Sequence, residues 1–149
     1  MADQKRWLLP DGVDEVLSPR ARKLEDLRRK LLDIFDRWGY ELVMPPIVEY
    51  LDSLLSGIGE DLDLQTFKLI DQLSGRMMGV RADITPQIAR IDAHRMVSEE
   101  PQRFCYVGPV VHTLPDKFNG SRNPLQIGAE LYGHTGIESD AEGITLLIE

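Results

Sequence analysis

Two apolar, β-rich runs in the second half of the chain, Phe104–Val111 and Leu125–Tyr132, restrict the fold more than any other feature. The loop between them carries Pro115, Asp116, Asn119, Gly120, Ser121 and Pro124, the composition of a chain reversal. The pair predicts a long antiparallel hairpin. In its second arm Gln126 and Glu130 are four residues apart with Gly128 midway, and the two-residue period of a strand sets all three on one face. A carboxylate and an amide flanking a glycine can form a floor for a ligand. The same spacing also suits a polar row facing solvent, and strand pattern alone leaves both readings open.

A hairpin of this length needs a core to pack on. The 149 residues, 42% hydrophobic and 28% charged, suffice for one domain that buries about two-thirds of its unfolded surface. No run reaches the roughly 18 apolar residues of a membrane span, and MADQKRWLLPDG lacks the apolar core and cleavage site of a signal peptide. The single Cys105 excludes an internal disulfide and, within an apolar run, reads as a buried, inert thiol. Together these features point to the cytoplasm. Of the net charge of −8, residues 1–38 contribute +1 and residues 39–149 contribute −9. Phosphate backbones bind clustered positive charge, so the larger part is a poor nucleic-acid surface.

The segments before the hairpin alternate in type. Ser18-Pro19 predicts an N-cap and a first-turn proline, followed by Leu24, Leu27, Leu31, Ile34, Phe35 and Trp38 at helical spacing up to Gly39. Tyr40–Met44 reads as a short strand stopped by Pro45-Pro46. Glu49 to Ile58 has helical spacing, and GEDLD after it reads as an acidic loop. Its Glu60, Asp61 and Asp63 lack a calcium-loop pattern, and a solvated turn explains them. Thr66–Ile70 and Met77–Val80 predict a second hairpin. Thr85-Pro86 repeats the cap-then-proline device and opens a helix to about Val97, with Ile88, Ile91 and Met96 inward and His94 exposed. Asp83 then sits between a strand and a helix, suited to local capping or, with converging groups, to a ligand. Ser139 and Glu142 have capping-box spacing before an apolar helix that runs to Glu149 uncapped. That end predicts the N-terminal fragment of a longer protein.

The order of elements and three stretches of sequence resemble the catalytic domain of class II aminoacyl-tRNA synthetases, specifically histidyl-tRNA synthetase and its non-synthetase relative, the regulatory subunit of ATP phosphoribosyltransferase. The long helix with YELVMPPIVEY looks like motif 1, the dimerisation element, with Leu31, Phe35 and Trp38 on the helix and Pro46 as its characteristic proline. VRADITPQIAR looks like the segment written LRPEGT in the synthetase, and RFCYVGPVVHT with LQIGAELYGH looks like motif 2, the ATP hairpin. The resemblance implies an α+β fold, an antiparallel sheet flanked by helices. Residues 1–149 would be the N-terminal part of that domain, incomplete at its C-terminus.

Two departures bear on the chemistry. Where motif 2 of the synthetase has an arginine on the α-phosphate and then a glutamate, this sequence has His112 and Leu114. A forked, permanently charged guanidinium neutralises a reacting phosphate, an imidazole does so poorly, and leucine accepts no hydrogen bond. Arg122 could stand for a second motif 2 arginine, across a loop one residue shorter. The resemblance assigns Asp83, Thr85 and Gln126 to the α-amino group of histidine and Glu130 to its imidazole. It therefore implies a non-catalytic subunit that assembles with the short-form ATP phosphoribosyltransferase catalytic subunit in the first step of histidine biosynthesis. Histidine would be the effector, with self-association through motif 1, and with no tRNA, metal, cofactor or membrane involved. A synthetase fragment, or a stand-alone amino-acid-binding or dimerisation module, are the alternatives.

Overall fold

The computed structural model describes residues 7–56, 59–96, 98–115 and 120–149, the Glu60 side chain excepted. Helix α1, Arg20–Arg37, leads into a two-residue strand β1, Glu41–Leu42, and then β2, Val48–Tyr50. Short helices α2, Leu51–Leu54, and α3, Glu60–Gln65, precede strands β3, Phe67–Ile70, and β4, Met77–Val80. Helix α4 is Thr85–His94, the hairpin strands β5 and β6 are Gln102–Pro109 and Leu125–Tyr132, and α5 is Ile137–Ile148.

The strands form two three-stranded sheets, ordered β1-β5-β6 and β2-β4-β3. The expected hairpin is present, antiparallel from Gln102 opposite Tyr132 to Pro109 opposite Leu125. The sheet is mixed rather than antiparallel throughout, because β1 runs parallel to β5. The first arm begins and ends two residues earlier than its hydrophobicity suggests. Val111 leaves the ladder and donates to the Arg81 carbonyl at 3.0 Å, which joins the two sheets through their backbones.

Alternation along β5 makes two cores, one on each face of the sheet. Phe104 and Tyr106 pack with Ile84, Ile88 and Val110 beneath α4. Cys105 packs with Phe35 and Tyr40, supported by Leu32 of α1, Trp38 just beyond it, Ile127 of β6 and Leu146 of α5. Burial pushes the Cys105 thiol up to about 11, so this cysteine is inert as its setting suggested.

Several local expectations are corrected. Ser18 does not cap α1, which begins at Arg20 without a side-chain cap, and Leu24 and Leu27 of its apolar stripe are exposed. Glu49 and Tyr50 are in a strand, not a helix, because β4 offers them a ladder in which Glu49 faces Gly79. The acidic segment is α3, closed by the Thr66 hydroxyl on the Leu62 carbonyl at 2.7 Å. Met96 is exposed beyond the end of α4. Gly57, Ile58, Val97, Asp116 and Asn119 fall outside the described residues.

The expected capping box is absent because Glu142 is engaged elsewhere: α5 begins at Ile137. The Glu142 carboxylate accepts from Arg103 Nε at 2.7 Å and Nη2 at 2.8 Å, and from the Tyr40 hydroxyl at 3.0 Å. The Arg103 fork holds its carboxyl below the usual range. A depressed carboxyl contributes stability above its unfolded pKa and loses it as pH falls through the folded one. Glu142→Gln in the full-length protein should cost about 1 kcal/mol at neutral pH and nothing in acid, the pair being partly exposed. Denaturant titration at both pH values checks this, and an equal loss at both would refute it.

Candidate functional site

Gln126, Gly128 and Glu130 share one face of β6, as the strand period requires, and their neighbours differ from those of a bare polar row. Register places Gln126, Gly128 and Glu130 opposite Gly108, Tyr106 and Phe104 on the face covered by α4. Gln126 closes the floor against the start of that helix. Its Nε2 donates to Asp83 Oδ1 at 2.7 Å, and its Oε1 accepts from the Ile84 N–H at 2.9 Å. Asp83 Oδ1 also accepts from the Thr85 N–H at 3.0 Å, so the local capping role and the converging polar role are one arrangement.

Thr85 is therefore not the cap. It occupies the first turn of α4, and its hydroxyl meets the Tyr106 hydroxyl at 2.9 Å. The Tyr106 hydroxyl in turn lies 3.5 Å from Glu130 Oε1, at the outer limit of a hydrogen bond. Burial pushes the Glu130 carboxyl above its ordinary range. Asp83 adds to that shift, while the Thr85 and Tyr106 hydroxyls oppose it. Asp83, Thr85, Gln126 and Glu130 thus belong to one connected set around the N-terminus of α4. Tyr106, which the motifs do not single out, links two of its members.

A cleft opens beside Gln126. Asp83, Gln126, Gln65 and His112 line an open cleft of about 340 Å³ that Thr85 and Glu130 do not reach. His112 Nε2 is 2.9 Å from the Ala82 carbonyl. A carbonyl only accepts, so Nε2 carries a proton and that N–H is committed to the backbone. Leu114 is 70% exposed. Arg122 donates from Nε to the His112 carbonyl and from Nη1 to the Asp11 carbonyl, both at 3.0 Å, and lies over the Phe67 ring. It fastens the entry segment to the hairpin. Offering two carboxamides, a carboxylate and an imidazole, the cleft suits hydrogen-bond donors better than a polyphosphate.

The four residues that the resemblance assigns to motif 1 lie in different settings. Phe35 is in the core, Leu31 and Trp38 are half-buried beside it, and the Trp38 indole N–H donates to Glu149. Pro46 is placed by its carbonyl, which accepts from Gln87 Nε2 at 2.9 Å. Arg81, buried among backbone carbonyls, donates to Pro45 at 2.7 Å, to Pro46 at 3.5 Å and to Pro109 at 2.9 Å. Among the described residues no cluster of three or more His, Cys, Asp or Glu could hold a metal ion.

Comparison with known proteins gives a consistent set of relatives. Residues 12–149 match the family described as histidyl-tRNA synthetase. The chain is 64% identical over its full length to the ATP phosphoribosyltransferase regulatory subunit of Thioalkalivibrio sulfidiphilus (strain HL-EbGR7), of which it covers 38%. It is 67% identical over 96% of its length to that of Alkalilimnicola ehrlichii (strain ATCC BAA-1101 / DSM 17681 / MLHE-1), covering 36%. A solved ATP phosphoribosyltransferase regulatory subunit/histidyl-tRNA synthetase from Bacillus halodurans C superposes with a TM-score of 0.81 at 28% identity, over 95% of this chain and 36% of that one. Histidyl-tRNA synthetase from S. aureus shares the fold at a TM-score of 0.75 and 20% identity, over 95% and 33%. The chain thus spans little more than a third of the length of these relatives.

Proposed function

Since the chain belongs to the histidyl-tRNA synthetase family, we propose that it is part of a regulatory subunit of ATP phosphoribosyltransferase, a synthetase-like protein that binds histidine without activating it. The observation that carries this reading is the contrast between the floor and the cleft beside it. The floor around Glu130 keeps carboxylates and neutral acceptors for an ammonium and an imidazole N–H. In the cleft beside Gln126, the position that calls for a phosphate-clamping arginine holds His112, whose Nε2–H is turned to the Ala82 carbonyl. Whole-chain identity of about 60% or more to regulatory subunits supports the same conclusion.

In this role the protein works in the cytoplasm with the short-form catalytic subunit, which joins ATP to phosphoribosyl pyrophosphate. It self-associates through the motif 1 element, with Leu31, Phe35, Trp38 and Pro46. It uses no metal or cofactor and binds no tRNA. Histidine inhibits only if it binds the less active state of the assembly more tightly, so feedback is a coupling free energy between two sites. Mixing the full-length protein with the short catalytic subunit should raise the transferase rate and make it histidine-sensitive. No histidine-dependent exchange of pyrophosphate into ATP should occur. Exchange activity, or no change in transferase rate, would overturn the reading.

A further inference from the structure

Tyr106 stands where the floor would otherwise have a gap. It is buried in the core beneath α4, directly opposite Gly128 in the hairpin ladder, and its ring lies across β6 so closely that a methyl on Gly128 would collide with the hydroxyl. The phenol is thereby carried over the glycine, between the two polar ends of the strand. Its hydroxyl meets Thr85 on one side and Glu130 on the other. A carboxylate oxygen cannot donate, so the Tyr106 hydroxyl donates toward Glu130, and the Thr85 hydroxyl, which also favours the carboxylate, can donate to the Tyr106 oxygen behind it. The direction of the chain is Thr85 to Tyr106 to Glu130.

We propose that Tyr106 is a positioning residue for ligand recognition: its hydroxyl, backed by Thr85, fixes Glu130 as an ionised acceptor, with Oε1 held internally and the second oxygen left for an N–H donor on the ligand. This rests on the reading of the floor as the histidine site. A ligand ring recognised there must present a donor, as imidazole does and as a ring with only acceptor atoms does not. The chain also keeps the carboxylate usable in a setting that opposes charge. Around Glu130 lie Asp83 from just before α4, Tyr106 from β5 and Tyr132 from its own strand, with Tyr40 acting through the sheet from its opposite face. Burial and Asp83 disfavour the carboxylate form, whereas the Thr85 hydroxyl and, after it, the Tyr106 hydrogen bond favour it. Removing that bond raises the pH at which Glu130 takes up a proton and ceases to accept.

Titration calorimetry of histidine binding to the full-length protein, across pH, tests the proposal. Tyr106→Phe keeps the ring over Gly128 and should weaken binding by roughly tenfold. It should also move the acidic loss of binding to higher pH, an effect that a merely structural role would not produce. Glu130→Gln serves as the reference: it should weaken binding and abolish the acidic loss. If Glu130→Gln binds as tightly as the parent, the histidine-site reading fails and the inference with it. If Glu130→Gln weakens binding while Tyr106→Phe matches the parent in affinity and pH profile, the site stands and the role of Tyr106 is overturned.

Discussion

Arg81→Met should be the most destabilising substitution in the polar framework of this protein, costing about 3–5 kcal/mol. Methionine fills a similar volume, so the loss is that of donors rather than of packing. The Pro45 and Pro109 carbonyls would lose, in a partly buried setting, the guanidinium that now serves them, while the Pro46 carbonyl would keep Gln87. Neither proline in the Pro45-Pro46 turn has an N–H with which to rearrange into a ladder. Arg81→Lys should recover only part of the loss, since one ammonium cannot span acceptors on two separate segments. Denaturant unfolding of the full-length protein measures both. A cost of about 0.5 kcal/mol or less for the methionine variant, within the range of an ordinary surface change, would show that these bonds contribute little.

The second large effect is expected at Gly128. An added methyl would meet the Tyr106 hydroxyl and, at 2.5 Å, the ring carbon that bears it, and both belong to a side chain locked in the core. Overpacking of this kind costs about 1–3 kcal/mol. The ring can escape only by leaving its place between Thr85 and Glu130, so Gly128→Ala should also reduce histidine affinity by more than Tyr106→Phe does. Combining Gly128→Ala with Tyr106→Leu removes the clash and should restore stability without restoring affinity. Recovery of both would mean that the glycine matters for some reason other than the phenol above it.

The larger elements were legible because hydrophobic period decides them. The hairpin from Gln102 to Tyr132 and helix α1 follow directly from apolar spacing. What the sequence did not disclose depends on partners distant along the chain. Ser139 and Glu142 have the spacing of a capping box, yet Glu142 goes to Arg103 and Tyr40 because a bidentate guanidinium outweighs one backbone N–H. Glu49 has helical neighbours, but an open edge beside Gly79 draws it into a strand. In the site, Asp83, Thr85, Gln126 and Glu130 could be named from motif and period. Tyr106 could not be named in that way. Its signal was a pairing, a large residue opposite a glycine, visible only once the register of the hairpin is counted. Arg81 carried a fainter signal, a lone cation at the end of the apolar strand MMGVR.

The buried arginine has a further consequence, for how the protein comes apart. Its acceptors lie 36, 35 and 28 residues away along the chain, so its charge leaves water only when the proline turn, the end of β4 and the first arm of the hairpin are all in place. Half-docked arrangements strand the cation without either solvent or carbonyls and are sparsely populated. The proline segment, β4 and the hairpin are therefore expected to open as one cooperative unit. Amide exchange at Ile84, three residues beyond that arginine and bonded to Gln126 of the hairpin, should follow the opening of this whole unit rather than fraying of a helix end.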